Sequence, residues 1–180
     1  MVGKELEEFV SENKNDLYGF CLHLTGNVPD AEDLFQDTFL VSLEKKNFQE
    51  LLQMESAKGF LIGIAVNLWK NRYRKWKRRE QIAPRETAED ALLWAKSPER
   101  GPEEIAVLRD DLRELREAVN SLPEKYRITI LMYYDAGLSV KEIAAALHIR
   151  QGTVKSRLSK ARTQIRNVLE GAWNEKQNFE

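Results

Sequence analysis

A chain of 180 residues with 42% hydrophobic content is long enough for one large or two small domains. Its net charge of −1 excludes any argument about partners from bulk charge, so the distribution of charge has to carry it. One cysteine excludes an intramolecular disulfide, two separated histidines (His23 and His148) leave no zinc set, and no apolar run approaches the ~20 residues that would span a bilayer.

The charge is uneven. Residues 1–50 hold eleven Asp or Glu against four Lys or Arg, whereas residues 70–79 hold seven Lys or Arg. Separate surfaces for separate partners are expected. The N-terminus, MVGKELEEFV, is acidic and polar and does not read as a signal peptide. With its lone cysteine, the chain fits a cytoplasmic setting without membrane insertion of its own.

The first predicted helix covers Lys4 to Thr25, with Leu6, Phe9, Val10, Leu17, Phe20 and Leu24 inward. Cys21 falls among these apolar residues and reads as core packing rather than redox chemistry. Gly26 and Asn27 end the helix, and Pro29 and Asp30 open a second that runs to about Lys45. In that helix Ala31, Leu34, Phe35, Thr38, Val41 and Ser42 share one arc. Asp33, Gln36, Asp37 and Glu44 share the opposite one, with Leu40 among them. A leucine ringed by polar groups fits an anchor inside a polar rim. The spacing fits a solvated face with one stray leucine equally well.

Asn47 to Glu55 reads as a connector. Ser56 is placed to cap a third helix from Ala57 to about Glu80, its apolar face running through Phe60, Leu61, Ile64, Ala65 and Leu68. Gly59 and Gly63 each cost about 1 kcal/mol of helix stability, which close packing against another helix would explain. Beyond Asn67 cations interleave with aromatics, in NLWKNRYRKWKRR. Such a strip suits opened or single-stranded nucleic acid, with cations on the backbone and rings as stacking faces. Trp69 continues the Ile62 and Val66 stripe and reads as core. Trp76, among cations, reads as a stacking residue.

Residues 81–102 contain Pro84, Pro98 and Pro102 and little periodicity, so they read as a linker, with at most a helical turn at Ala91–Lys96. Glu103 to Asn120 forms the next predicted helix, with Ile105, Leu108, Leu112, Leu115 and Val119 inward. Tyr126 to Asp135 follows, closed by Gly137. Ser139 and Glu142 have capping-box spacing, and Val140, Ile143, Ala144 and Leu147 form one stripe. His148 to Arg150 is a turn, with Ile149 as its plug. His148 stands where glycine is favoured and Arg150 is a poor cap, each costing about 1 kcal/mol.

A last helix from Gln151 turns Val154, Leu158, Ala161, Ile165 and Val168 inward. Gln151, Lys155, Ser156, Ser159 and Lys160 face outward, flanked by Arg157 and Arg162. From Arg150 to Arg166 there are six Lys or Arg and no acid. A solvated helix usually mixes signs, so this face suits DNA, and Gly152 would let phosphate approach the helix start. After Gly171 the tail is polar and expected to fray.

No strand pattern appears. The expected fold is all-α: two small helical domains, 1–80 and 103–171, joined by a flexible linker, 81–102, and followed by a polar tail, 172–180. The residues leave three other readings open. A dimeric helix-turn-helix regulator leaves the acidic helix and the basic-aromatic strip unexplained. A nuclease would need metal at Asp30, Asp33 and Asp37, with no histidine near. A pure protein-interaction module predicts no salt-sensitive DNA binding.

DAEDLFQDTF, FLIGIAVNLWKNRYRKWKRR and LPEKYRITILMYYDAGLSVKEIAAALHIRQGTVKSRLSKAR, in that order, resemble the bacterial sigma factors of the sigma-70 family, in their small extracytoplasmic-function (ECF) form. The resemblance spans about Leu6 to Leu169. It implies a non-catalytic initiation subunit without cofactor or metal. Its first domain (sigma domain 2) would bind core RNA polymerase through Asp33, Gln36, Asp37 and Leu40. The same domain would recognise and open the −10 element through Asn67, Lys70, Asn71, Arg74, Trp76 and Arg78, with Asn47–Glu55 as its base-capturing loop. The second domain (sigma domain 4) would read the −35 element through Lys155, Ser156, Ser159 and Lys160. Gln151 and Thr153 would join them, and Arg157 and Arg162 would grip phosphate. The resemblance further implies domains that move about the linker when free, and an anti-sigma factor that locks them together.

Overall fold

The computed structural model describes residues 2–79 and 112–177. The expectations for the linker, for residues 103–111 and for the side chains of Leu6, Arg74, Trp76 and Arg78 lie outside the described residues. Among the described residues all regular structure is helical.

Helix α1, Val2–Thr25, stops at Gly26, whose φ of 80° suits a residue without a Cβ and whose N–H reaches the Leu22 carbonyl at 2.8 Å. Asn27 then starts α2, Val28–Lys45, its side-chain oxygen accepting from the Asp30 N–H at 2.9 Å. Ala31, Leu34, Thr38 and Ser42 are buried. The two hydroxyls turn back onto the Leu34 and Phe39 carbonyls, which removes the penalty for burying them.

The connector is more ordered than its mixed composition suggests. Asn47 repeats the cap, accepting from the Glu50 N–H at 2.9 Å, and starts a short helix α3, Phe48–Leu52, with Leu51 in the core. Phe48 and Phe39 meet Phe9 edge-on, at 6.0 and 6.5 Å between centroids. Ser56 caps α4, Ala57–Arg79, accepting from the Gly59 N–H at 3.1 Å.

In α4 every residue from Leu61 to Val66 is buried, not only one stripe. A helix buried all round must be covered on both sides. α1 and α2 cover one side, and the second module covers the other. A Cβ on Gly63 would lie 3.3 Å from the Ala146 Cβ, and one on Gly59 would lie 2.8 Å from the Ser56 Oγ. Gly63 admits the close approach of α7 that the glycine spacing anticipates, whereas Gly59 makes room for the Ser56 cap of its own helix, with the Glu142 Cβ at an ordinary 3.7 Å.

The second module comprises α5 (described over residues 112–120), α6 (Glu124–Tyr134), α7 (Val140–Leu147) and α8 (Gln151–Gln177). Ile128, Met132, Leu138, Ile143, Val154 and Leu158 belong to the same apolar cluster as Phe20, Leu34 and Ile62 of the first module. Leu122, Ile130 and Ala161 form a smaller cluster of their own. The modules that the sequence separates are thus packed together, α7 on α4 and α6 on α1.

Three expectations are corrected. Leu115 is 42% and Val168 44% exposed, although both were placed inward. Val168 lies two turns beyond Ala161, the last fully buried residue of α8, where the helix has run past the core it packs on. The tail does not fray at Gly171. α8 continues to Gln177, because one solvated glycine weakens a helix by about 1 kcal/mol but does not break it as proline would.

Candidate nucleic-acid and partner interface

Three outward faces collect the site residues. The first is on α2. Asp33, Gln36 and Leu40 are exposed, Leu40 by 60%. Asp37 is half-buried and paired with Arg72 of α4. The pair holds α2 and α4 in register at the rim and assigns Asp37 a partner within the chain. Leu43, one turn from Leu40, is 41% exposed and extends the apolar spot. Its three-residue spacing from Leu40 was the available signal, obscured because Leu43 could equally have faced the core.

The second face is on α4. Asn67 and Asn71, one turn apart, are exposed, and Lys70 between them is half-buried. Trp69 is 8% exposed, a core residue as its stripe predicts. The Arg127 guanidinium, from the second module, lies 5.8 Å from its ring centroid. This face therefore offers amides and cations on its described part, with Arg74, Trp76 and Arg78 outside it.

The third face belongs to α8. The helix before it, α7, has the full capping box: Ser139 Oγ accepts from the Glu142 N–H, and Glu142 Oε2 accepts from the Ser139 N–H at 2.8 Å. α7 ends in a Schellman turn. The His148 N–H reaches the Ala145 carbonyl and the Ile149 N–H the Ala144 carbonyl. His148 takes the left-handed position, φ 53° and ψ 45°, which glycine usually fills. Ile149 packs half-buried against the core as the plug of the turn.

That turn aims α8 outward. Val154, Leu158 and Ala161 are buried, whereas Gln151, Thr153, Lys155, Ser156, Ser159 and Lys160 are exposed and Arg157 is half-buried. A Cβ on Gly152 would meet nothing within 4 Å, so the start of α8 is open to a ligand. Arg162 is exposed but not loose. Its Nε–H donates to Tyr134 Oη at 2.9 Å, and its guanidinium lies 5.7 and 5.5 Å from the Tyr133 and Tyr134 rings. Held this way, the cation loses less side-chain entropy on meeting a phosphate. The sequence reading placed Arg162 at the DNA and missed the tyrosines, of which Tyr134 stands 28 residues earlier in the chain and Tyr133 just before it.

Elsewhere the chemistry is quiet. Burial, with Asp135 adding to it, pushes the Cys21 thiol up to about 12, so it stays protonated and unreactive near neutral pH. Among the described residues no group of three or more His, Cys, Asp or Glu is placed to hold a metal, and no helix is long and apolar enough to cross a membrane.

Comparison with known proteins agrees with this layout. The family described as Sigma-70 region 2 matches residues 9–80, and the family described as Sigma-70, region 4 matches residues 112–165. The chain is 32% identical over 166 residues to the ECF RNA polymerase sigma factor SigE of Mycolicibacterium smegmatis, covering 91% of this chain but spanning only 61% of that relative. It is 30% identical to the ECF RNA polymerase sigma factor SigW of Bacillus subtilis, covering 90% of this chain and 87% of that one. The fold matches the sigma factor RpoE, solved in complex with the anti-sigma factor NepR from Bartonella quintana, with a TM-score of 0.72, 26% identity, and coverage of 93% of this chain and 98% of that one. With two region models in the expected order and a relative matched over most of both lengths, the chain belongs to the ECF group of the sigma-70 family.

Proposed function

We propose that this chain binds core RNA polymerase and directs promoter-specific initiation, gripping DNA at two points. One observation carries the reading: a single chain presents three outward faces of different chemistry, in family order. The α2 face, acidic with Leu40 and Leu43 exposed, suits a protein partner that supplies cations around an apolar pocket. Asp33, Gln36 and Leu40 are its free members. Asp37 takes part by exchanging Arg72 for a polymerase group.

The α8 face enters the −35 major groove. Lys155, Ser156, Ser159 and Lys160 read base edges, while Arg157 and the tyrosine-held Arg162 contact phosphate. The α4 strip engages the −10 element, with Asn67, Lys70 and Asn71 joined by Arg74, Trp76 and Arg78, and the segment Asn47–Glu55, which contains α3, captures the extruded base. No Walker-type glycine loop is present, so opening is driven by the preference of these residues for extruded bases over duplex. Neither grip needs to be tight. The linker between the modules raises the effective concentration of the second contact once the first is made. The role is that of a cytoplasmic initiation subunit without a catalytic step of its own. The partner of RpoE in the similar structure supports an anti-sigma factor as a further partner here.

Run-off transcription tests this. Purified bacterial core polymerase is incubated with genomic promoter fragments, with and without the chain. Transcripts that start only when it is added are the expected result. Their absence, with the chain shifting duplex DNA by itself, would replace this reading with that of an ordinary helix-turn-helix regulator.

A further inference from the structure

Helix α6 ends in two tyrosines that lie beside the cationic face of α8. Tyr133 is half-buried against the core, whereas Tyr134 is 62% exposed. The rings meet edge-on, 5.0 Å between centroids and 78° between planes. Packing does not account for so exposed a ring as that of Tyr134, and its polar contact leads to α8.

Tyr134 Oη accepts from the Nε–H of Arg162 at 2.9 Å, and the Arg162 guanidinium stands 5.5 Å from the Tyr134 ring centroid and 5.7 Å from that of Tyr133. A phenol accepts and donates through the same oxygen. Accepting from Arg162 occupies a lone pair and leaves the hydroxyl hydrogen, which among the described residues is given to no acceptor. A hydroxyl that accepts from a charged donor is also polarised into a stronger donor. Arg162 meanwhile engages Tyr134 through Nε and keeps both terminal nitrogens for another partner. The pair thus presents a hydroxyl hydrogen beside a charged fork. That set fits an anion with several acceptor oxygens, and a backbone phosphate is the one that duplex DNA offers.

Placement agrees. Lys155, Ser159 and Arg162 stand at i, i+4 and i+7, so one stripe of α8 holds all three, and no acid lies between Arg150 and Arg166. Arg162 borders this stripe on the side of α6, and it cannot extend toward base edges without leaving the tyrosines. Tyr134, standing on α6, reaches only the border of a groove that α8 fills, where the phosphates run. Its neighbour in the chain, Asp135, is turned elsewhere: its Oδ2 lies 2.6 Å from His23 Nδ1 of α1.

We propose that Tyr134 is a DNA-contacting residue, its hydroxyl donating to the same backbone phosphate that Arg162 grips, so that α6 and α8 close one clamp at the rim of the groove. The inference rests on the α8 face meeting duplex DNA, as proposed above. It holds for any sequence, because phosphate contacts carry no base information.

Fluorescence anisotropy of the full-length chain with a labelled duplex of mixed sequence, across a range of salt, tests it. Tyr134→Phe keeps the ring and removes only the hydroxyl. It should weaken binding about tenfold, the loss of a charge-assisted bond. The salt slope and the thermal midpoint should not change, because a neutral hydroxyl releases no counterion. Arg162→Ala should lower the slope by about one. In the Arg162→Ala background, Tyr134→Phe should still weaken binding, by about threefold. Tyr134→Phe binding as tightly as wild type overturns the clamp, and so does a wild-type chain that binds no duplex at low salt. An effect of Tyr134→Phe that vanishes in the Arg162→Ala background, or that lowers the slope by about one, overturns direct donation and leaves Tyr134 as a support for Arg162. Run-off transcription by the wild-type chain decides the sigma role separately: without transcripts that role fails, while the duplex affinities still decide the clamp.

Discussion

Single residues show how tightly this fold is specified at its turns. His148 occupies a left-handed position that a Cβ makes costly, and its place in the turn was legible because the apolar stripe stops at Leu147. His148→Gly should therefore stabilise the chain by about 0.5–1 kcal/mol, read as a higher thermal midpoint. An unchanged or lower midpoint would show that the imidazole makes compensating contacts. Glu142 is the opposite case, a residue with more duties than its spacing reveals. The Ser56 hydroxyl, then the Ser139 hydroxyl and N–H, hold its carboxyl below the usual value of 4.5. A carboxyl lowered on folding adds stability above its unfolded pKa and loses it as pH falls through the lowered value. The thermal-midpoint gap between wild type and Glu142→Gln should thus be widest near neutral pH and close as pH drops below 4.5. A gap of constant size would mean that the charge is irrelevant and only the shape of the cap matters.

At the level of elements, helices and their outward faces were largely readable, because 3.6-residue periodicity and cap residues act locally. Ser56 and Ser139 each cap where spacing places them, Asn27, read only as the end of α1, also caps α2, and Val154, Leu158 and Ala161 are buried as the α8 stripe requires. Reading failed where a helix outran its support, at Val168 and Leu115, and where a short helix was fixed by tertiary aromatic contacts, at Phe48. On α2, spacing could not distinguish an anchor from a stray leucine. The structure shows Leu40 exposed beside Leu43, with the buried arc opposite. Leu40→Ala should leave the thermal midpoint within error while weakening core polymerase binding by about 1–2 kcal/mol in a competition assay. Unaltered binding would reduce the α2 face to a solvated surface.

Across the whole molecule, the two modules were legible from their composition, but their packing was not. Its contacts join residues about a hundred positions apart, such as Arg127 with His23 and Leu24, and no periodicity encodes such pairs. The one trace in the sequence was the cost of Gly63 within a helix, offset by α7 lying against it. The same packing leaves Leu40, Asn71 and Lys155 all facing water. A ligand for any one of these faces therefore finds it already solvated, with no rearrangement of the packing behind it.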